Sequence, residues 1–268
     1  MGYNCLQQSG GRLMSPKIVY INSGKSSDLK DSGNDSYHLC TSDFITEMNQ
    51  NKLTKEFDFF VFEDYKLFSN THIDNLMTNQ PIFFYYSDFY QLESGINKSD
   101  KHTISALFKE TIGEHNFSHF LNIHTLIQSE FCNSPYKSVN FSFKSSLEDI
   151  EYATQLLEKF VNAIFNTISN LEFFEYNLIL RELLTNAVKH GNKLNKEKNV
   201  MLTIFFKNSE KTLGFAVQDE GPGFNYAKHL QSIEKDELRI NERGLFLINE
   251  FCSNIFNRNN LIIVEIKK

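Results

Sequence analysis

With 268 residues, at roughly 150 per domain, the chain has room for two domains. Its 41% hydrophobic and 22% charged residues exclude a disordered chain, and its net charge of −6 argues against a general nucleic-acid binder, which needs clustered Lys and Arg. No apolar run approaches the ~20 residues that cross a bilayer. The opening MGYNCLQQSGGRL lacks the apolar core of a secretion signal, and residues 1–13 are expected to be a disordered lead before an alternative start at Met14. Cys5, Cys40, Cys132 and Cys252 are scattered without a C-x-x-C pair, which fits a reducing compartment and a cytoplasmic location.

From Met14 to about Glu130, apolar runs alternate with more polar segments. Strands are predicted at Lys17–Asn22, Tyr37–Thr41, Phe57–Phe62 and Ile82–Tyr86, with a weaker fifth at His119–Ile123. Helices are predicted at Phe44–Lys55, Tyr65–Thr78, Ile104–Gly113 and Thr125–Phe131. Short apolar strands spaced by helices indicate a parallel α/β sheet. The first crossover, Ser23–Ser36, is polar apart from Leu29 and offers a covering helix little to bury. Asn133–Ser138 (NSPYKS) reads as a linker.

Beyond it, Val139–Phe143 alternates as a strand. Ser145 or Ser146 caps a helix with Glu148 and Asp149 in its first turn and Leu147, Ile150, Leu156, Leu157, Phe160, Val161, Ile164 and Phe165 at helical spacing. A second helix runs from about Phe173 to His190 and ends at Gly191 as its C′ residue. Strands at Val200–Phe206 and Leu213–Asp219 follow. After a polar loop come a short helix near Gly244–Cys252 and a hairpin, Ser253–Phe256 with Leu261–Ile266. The second half is therefore expected to be an α/β sandwich with helices on one face.

Three segments of this half carry chemistry. In RELLTNAVKHG (Arg181–Gly191), Glu182 and Asn186 are four apart and share a helical face that His190 continues. A carboxylate and an amide oxygen so placed suit Mg²⁺ and its waters, although a helix with a solvated polar face has the same pattern. In VQDEGPGF (Val217–Phe224), Asp219 ends a strand and Gly221 and Gly223 permit close backbone approach to a ligand. Such a carboxylate can accept from an exocyclic amine such as that of adenine, and an ordinary turn is the plainer alternative. In ERGLFLINEF (Glu242–Phe251), Gly244 opens an amphipathic helix whose free N–H groups can hold phosphate or simply begin a helix.

In this order, with a lid-length stretch Asn225–Glu242 between the last two, the segments resemble the N, G1 and G2 boxes of the GHKL (Bergerat-fold) ATPases. The resemblance covers residues 139–268. Within the family the chain is most similar to the anti-sigma-factor serine/threonine kinases. Ser145–Asn170 contains no His to serve as a histidine-kinase acceptor, and His115, His119 and His124 are followed by Asn, Phe and Thr rather than by an acidic residue.

The resemblance implies ATP and Mg²⁺ as cofactors and assigns roles. Glu182 would be the general base or position a serine hydroxyl, and Asn186 would bind Mg²⁺. Asp219 would read adenine N6, Gly221 and Gly223 would shape the base pocket, and His190 would line the nucleotide site. Gly244 would present N–H to phosphate, and Arg239 or Arg243 would neutralise the transferring phosphoryl group. It also implies partner switching between a STAS-domain anti-sigma antagonist and a sigma factor, and allows a homodimer. A catalytically weak ATP-dependent switch and a histidine-kinase-like signalling protein are the alternatives. Glu242 stands where the family has a Gly two residues before Gly244, and brings carboxylate charge near the phosphate site.

Residues 14–132 resemble a flavodoxin-like response-regulator receiver that has lost its chemistry. Asn22-Ser23 stands where receivers have an acidic pair, and Glu63 where they have the phospho-acceptor, which implies a pseudo-receiver used for docking or dimerisation; Asp64 as a shifted acceptor is the lesser alternative. The hydroxyl and lysine positions read as Tyr86 or Ser87 and as Asn122 or His124. Ser23-Gly24-Lys25-Ser26 is like a P-loop but has Val19 where the first Gly is required. His115, His119 and His124 have zinc-compatible helical spacing without an evident Cys or acidic partner.

Overall fold

The computed structural model describes residues 18–21, 30–31, 36–39, 59–62, 65–70, 80–108, 114–132, 134–164, 169–226 and 243–266. The expected lead (1–13), the helix at 44–55 and the polar crossover's Ser23–Leu29, which includes the P-loop-like motif, lie outside them, as do Asn22, Glu63, Asp64, Phe165, Arg239 and Glu242.

Eleven strands among these residues join in one sheet of mixed α/β architecture. They are β1 (Ile18–Ile21), β2 (Lys30–Asp31), β3 (Ser36–Leu39), β4 (Phe59–Phe62), β5 (Ile82–Tyr86), β6 (Ile104–Phe108), β7 (Tyr136–Lys144), β8 (Asn199–Lys207), β9 (Thr212–Gln218), β10 (Cys252–Arg258) and β11 (Leu261–Ile266). The spatial order is β10-β11-β9-β8-β7-β6-β5-β4-β1-β3-β2. Pairing is parallel from β3 through β7 and antiparallel from β7 through β10. β7 thus joins a parallel half to an antiparallel half.

The described helices are α1 (Tyr65–Asn70), α2 (Phe89–Ile96), α3 (Glu114–Glu130), α4 (Leu147–Ile164), α5 (Asn170–Asn186) and α6 (Arg243–Phe251). One core lies between one sheet face and α1, α2, α4, α5 and α6, with Phe68, Leu92, Phe160, Leu180 and Ile248 among its residues. A second core lies on the opposite face under α3, built from Phe117, Phe120, Leu121 and Ile127 against Phe83, Leu107, Phe205 and Ile263. The sandwich half is therefore covered on both faces, and α3, from the first half, supplies part of the second cover.

Several sequence expectations change. Ile104–Gly113 was expected to be helical, but Ile104–Phe108 is the central strand β6. Every residue of it is buried, and all but Ser105 are apolar, as suits a strand covered on both faces. His119–Ile123 is not the fifth strand. It lies inside α3, where Phe117, Phe120, Leu121, His124 and Ile127 recur at helical spacing. Asn122 and His124 therefore do not follow a strand, and the residue after the fifth parallel strand is Lys109. Helix α2, absent from the expectations, is capped by Asp88, whose carboxylate accepts from Gln91 N at 2.9 Å. β7 begins at Tyr136, inside the segment read as a linker, because Lys137–Asn140 pair with β6.

Apart from Lys144 at its end, the polar residues of β7 are buried. Asn140 and Ser138 are fully buried beneath α3. His124 Nε2 lies 3.0 Å from both Ser105 Oγ and Asn140 Oδ1, and its Nδ1 lies 2.6 Å from Tyr136 Oη. Asn140 Oδ1 also accepts from Thr203 Oγ1 at 2.7 Å. A neutral ring donating from Nε2 and accepting at Nδ1 satisfies this network. Burial pushes the His124 pKa down to about 4.

Candidate nucleotide site

The site forms where α5 ends beside β9. Ser169 caps α5 and Glu172 completes a capping box, so the helix starts ahead of the expected Phe173. After Asn186 the backbone widens into a π-helical turn, Ala187–Gly191, closed by Asn192 N donating to Ala187 O at 2.7 Å. Such turns recur at functional sites. Gly191 is not a left-handed C′ residue as expected; Lys193 and Leu194 take the positive φ instead. Gly191 is needed for space, since a Cβ there would collide with the Asp219 carboxylate.

A cavity of about 320 Å³ opens at this junction. Leu183, Ala187, Val217, Phe224, Leu245 and Ile262 give it apolar walls. Asn186, His190, Asp219 and Asn260 supply polar groups, and Gly191, Pro222 and Gly223 supply backbone. Asp219 is 7% exposed, and its Oδ1 accepts from Gly221 N at 2.6 Å. Its Oδ2 has no hydrogen bond among the described residues. Burial raises the Asp219 pKa, while the Gly221 N–H and the charge of Lys198 oppose the rise. Gly223 has φ +78, and a Cβ there would strike the Asn259 backbone, so the loop after Asp219 turns tightly against the β10–β11 hairpin. Tyr226 secures the loop's far end: its N–H donates to Asn257 Oδ1 at 3.0 Å and its hydroxyl to Leu245 O at 3.2 Å.

The expected site residues do not all reach the cavity. Asn186, His190, Asp219 and Gly223 line it, whereas Glu182, Gly221 and Gly244 do not. The half-buried Glu182 places its carboxylate against Gly244, in the first turn of α6, where a Cβ would collide with Oε2. Arg243 is the first residue of α6, its side chain lying outside the description, as does all of Arg239. Sequence reading missed Asn192 and Asn260, which hold the Asp219 loop, and the apolar walls from α6 and β11.

A largely apolar cavity with one buried acceptor carboxylate suits a heteroaromatic ring that carries an exocyclic N–H. Among the described residues no cluster of His, Cys, Asp and Glu forms a metal cage. The donor set fits a hard cation held by the Asn186 amide oxygen together with ligand oxygens. No described helix is long and apolar enough to cross a membrane. Residues 143–261 match a protein family described as the histidine kinase-like ATPase domain, while no curated protein matches the chain. A GHKL-type ATPase domain thus spans this stretch, and every cavity residue except Ile262 falls within it.

Proposed function

We propose that the chain is an ATP-dependent serine/threonine protein kinase of the anti-sigma-factor type. The observation that carries this reading is the buried Asp219 carboxylate on the wall of an apolar cavity that Asn186 also lines. In it, Asp219 accepts from adenine N6 and Asn186 holds Mg²⁺. Mg²⁺, when bound, would neutralise phosphate charge. The N–H groups at the start of α6, near Gly244, face phosphate, and Arg239 or Arg243 balances the transferring charge. Glu182 accepts the proton of the attacking serine hydroxyl or orients that hydroxyl. The macromolecular partners are a STAS-domain antagonist and a sigma factor, in the cytoplasm.

Residues 14–132 fit a receiver-like docking or dimerisation unit. In support, the parallel strands β3-β1-β4-β5-β6 stand in the order second-first-third-fourth-fifth, the flavodoxin-like arrangement. In sequence Ser87 comes directly after the fourth of these strands and Lys109 directly after the fifth, where a receiver would carry its hydroxyl and lysine, while Glu63 would stand in place of its acceptor. The separation from 139–268 is one of role, since the sheet is continuous.

One observation favours a second reading, a nucleotide-dependent binding switch of low turnover. The Glu182 carboxylate lies against Gly244 rather than on the cavity wall. Incubating the protein with Mg-ATP and a STAS-domain antagonist separates the two. Acid-stable serine phosphate on the antagonist, abolished by Glu182→Gln, is expected of the kinase. Bound nucleotide with no phosphate transferred, and partner binding unchanged by Glu182→Gln, would leave the switch.

A further inference from the structure

The peptide unit joining Asp219 to Glu220 is held at both ends by side-chain amides. Asn260 Nδ2 donates to its carbonyl, Asp219 O, and Asn192 Oδ1 accepts from its N–H, Glu220 N, at 2.8 Å. The two asparagines come from different elements. Asn260 sits in the β10–β11 turn, and its own carbonyl accepts from Asp219 N at 3.2 Å. Asn192 follows the π-helical turn, is 1% exposed, and donates through Nδ2 to Asn199 O at 2.9 Å, at the start of β8. It does not line the cavity.

The rotation of this peptide plane sets the direction in which the Asp219 side chain leaves the backbone. Gripping the plane at its C=O and its N–H removes that freedom before any ligand arrives. We propose that Asn192 is a positioning residue for base recognition: with Asn260 it locks the 219–220 peptide and thereby aims the Asp219 carboxylate. The proposal rests on the nucleotide reading of the cavity and adds a specificity determinant outside it. Preorganised acceptors discriminate because a mismatched ligand leaves them unpaired.

Glu220 has other tethers. Its Oε1 accepts from Asn199 N at 3.1 Å and Asn199 Nδ2 at 3.0 Å, and its carbonyl accepts from Lys198 Nζ at 2.8 Å. These fix the residue beyond the plane. Glu220→Ala therefore separates general loop anchoring from the peptide lock, because it keeps the backbone N–H that Asn192 holds.

The test measures, on the full chain, the affinity for ATP relative to purine riboside triphosphate, which lacks the exocyclic amine. The wild type is expected to prefer ATP. Asn192→Ala is expected to reduce that preference about tenfold, mainly by weakening ATP, while Glu220→Ala retains it. A purely structural Asn192 would lower the melting temperature and weaken both nucleotides alike. A folded Asn192→Ala protein with the wild-type ratio overturns the proposal, as does an equal collapse in Glu220→Ala. If Asn192→Ala does not fold, Asn192→Ser, which cannot span both Asn199 O and Glu220 N–H, takes its place with the same criteria. ATP binding without preference in the wild type would instead refute the Asp219–amine contact and, with it, the nucleotide reading beneath the proposal.

Discussion

The Asp219 carboxylate lies against the α-carbon of Gly191, at the point where the helix carrying Asn186 ends. Two of the three segments that supply the cavity's polar groups are therefore in backbone-to-side-chain contact. Any side chain at position 191 must displace the carboxylate or part α5 from β9.

Gly191→Ala is accordingly expected to destabilise the fold by about 1–3 kcal/mol, the usual cost of overpacking, and to weaken ATP binding more than about tenfold. Thermal melting and isothermal titration on one preparation check both. Unchanged affinity would mean that Asp219 has room to move without consequence.

Asp219 also gives the site a pH dependence. Burial raises its pKa, so the carboxyl takes up its proton at higher pH than an ordinary aspartate. An amine donor on the ligand needs the ionised form. ATP affinity should therefore fall as pH drops through this raised pKa, and recover above it. Asp219→Asn keeps an acceptor oxygen but does not titrate, so its affinity should be lower at neutral pH and flatter toward acid. Titrations across acidic to neutral buffers, with purine riboside triphosphate correcting for phosphate protonation, provide the check.

Acid should destabilise the fold through His124 on the other sheet face. Its folded pKa of about 4 lies below the unfolded value of about 6.5. The unfolded chain then binds the extra proton, and stability falls as pH drops from about 6.5 to about 4, by roughly 3 kcal/mol from this group alone. Urea unfolding at a series of pH values should show this slope. It should vanish in His124→Gln, whose baseline stability is expected to be lower because Asn140 and Tyr136 lose a partner.

The sheet's continuity makes a prediction about dissection. A fragment beginning at Val139 removes the first residues of β7 and its parallel neighbour β6, and exposes Asn140 and Thr203 by losing α3. It is expected to melt well below the full chain and to self-associate through the bare edge of β7. Analytical ultracentrifugation and thermal melting of the fragment would show otherwise if the second half is self-sufficient.

The sequence disclosed the α5 segment, Asp219 and Gly223 because helical periodicity and a strand-ending Asp-x-Gly-x-Gly are local signals. It misplaced β6 and α3 because ISALF and HFLNI are short apolar runs whose period is ambiguous, and only burial between β5 and β7 makes the first a strand. The alternation of Val139–Phe143 marks a strand but not the burial of Asn140, since nothing local announces a histidine from α3 above it. Asn192 and Asn260 were silent for the same reason: each acts on a backbone group distant in sequence, brought to it by the fold.

The most direct test of the account is the affinity of the full chain for Mg-ATP, measured for the wild type and for Asp219→Ala. Saturable binding by the wild type, weakened about 10- to 100-fold in a folded Asp219→Ala protein, is the expected result for a charge-assisted hydrogen bond. No binding by the wild type, or equal binding by both, would contradict it.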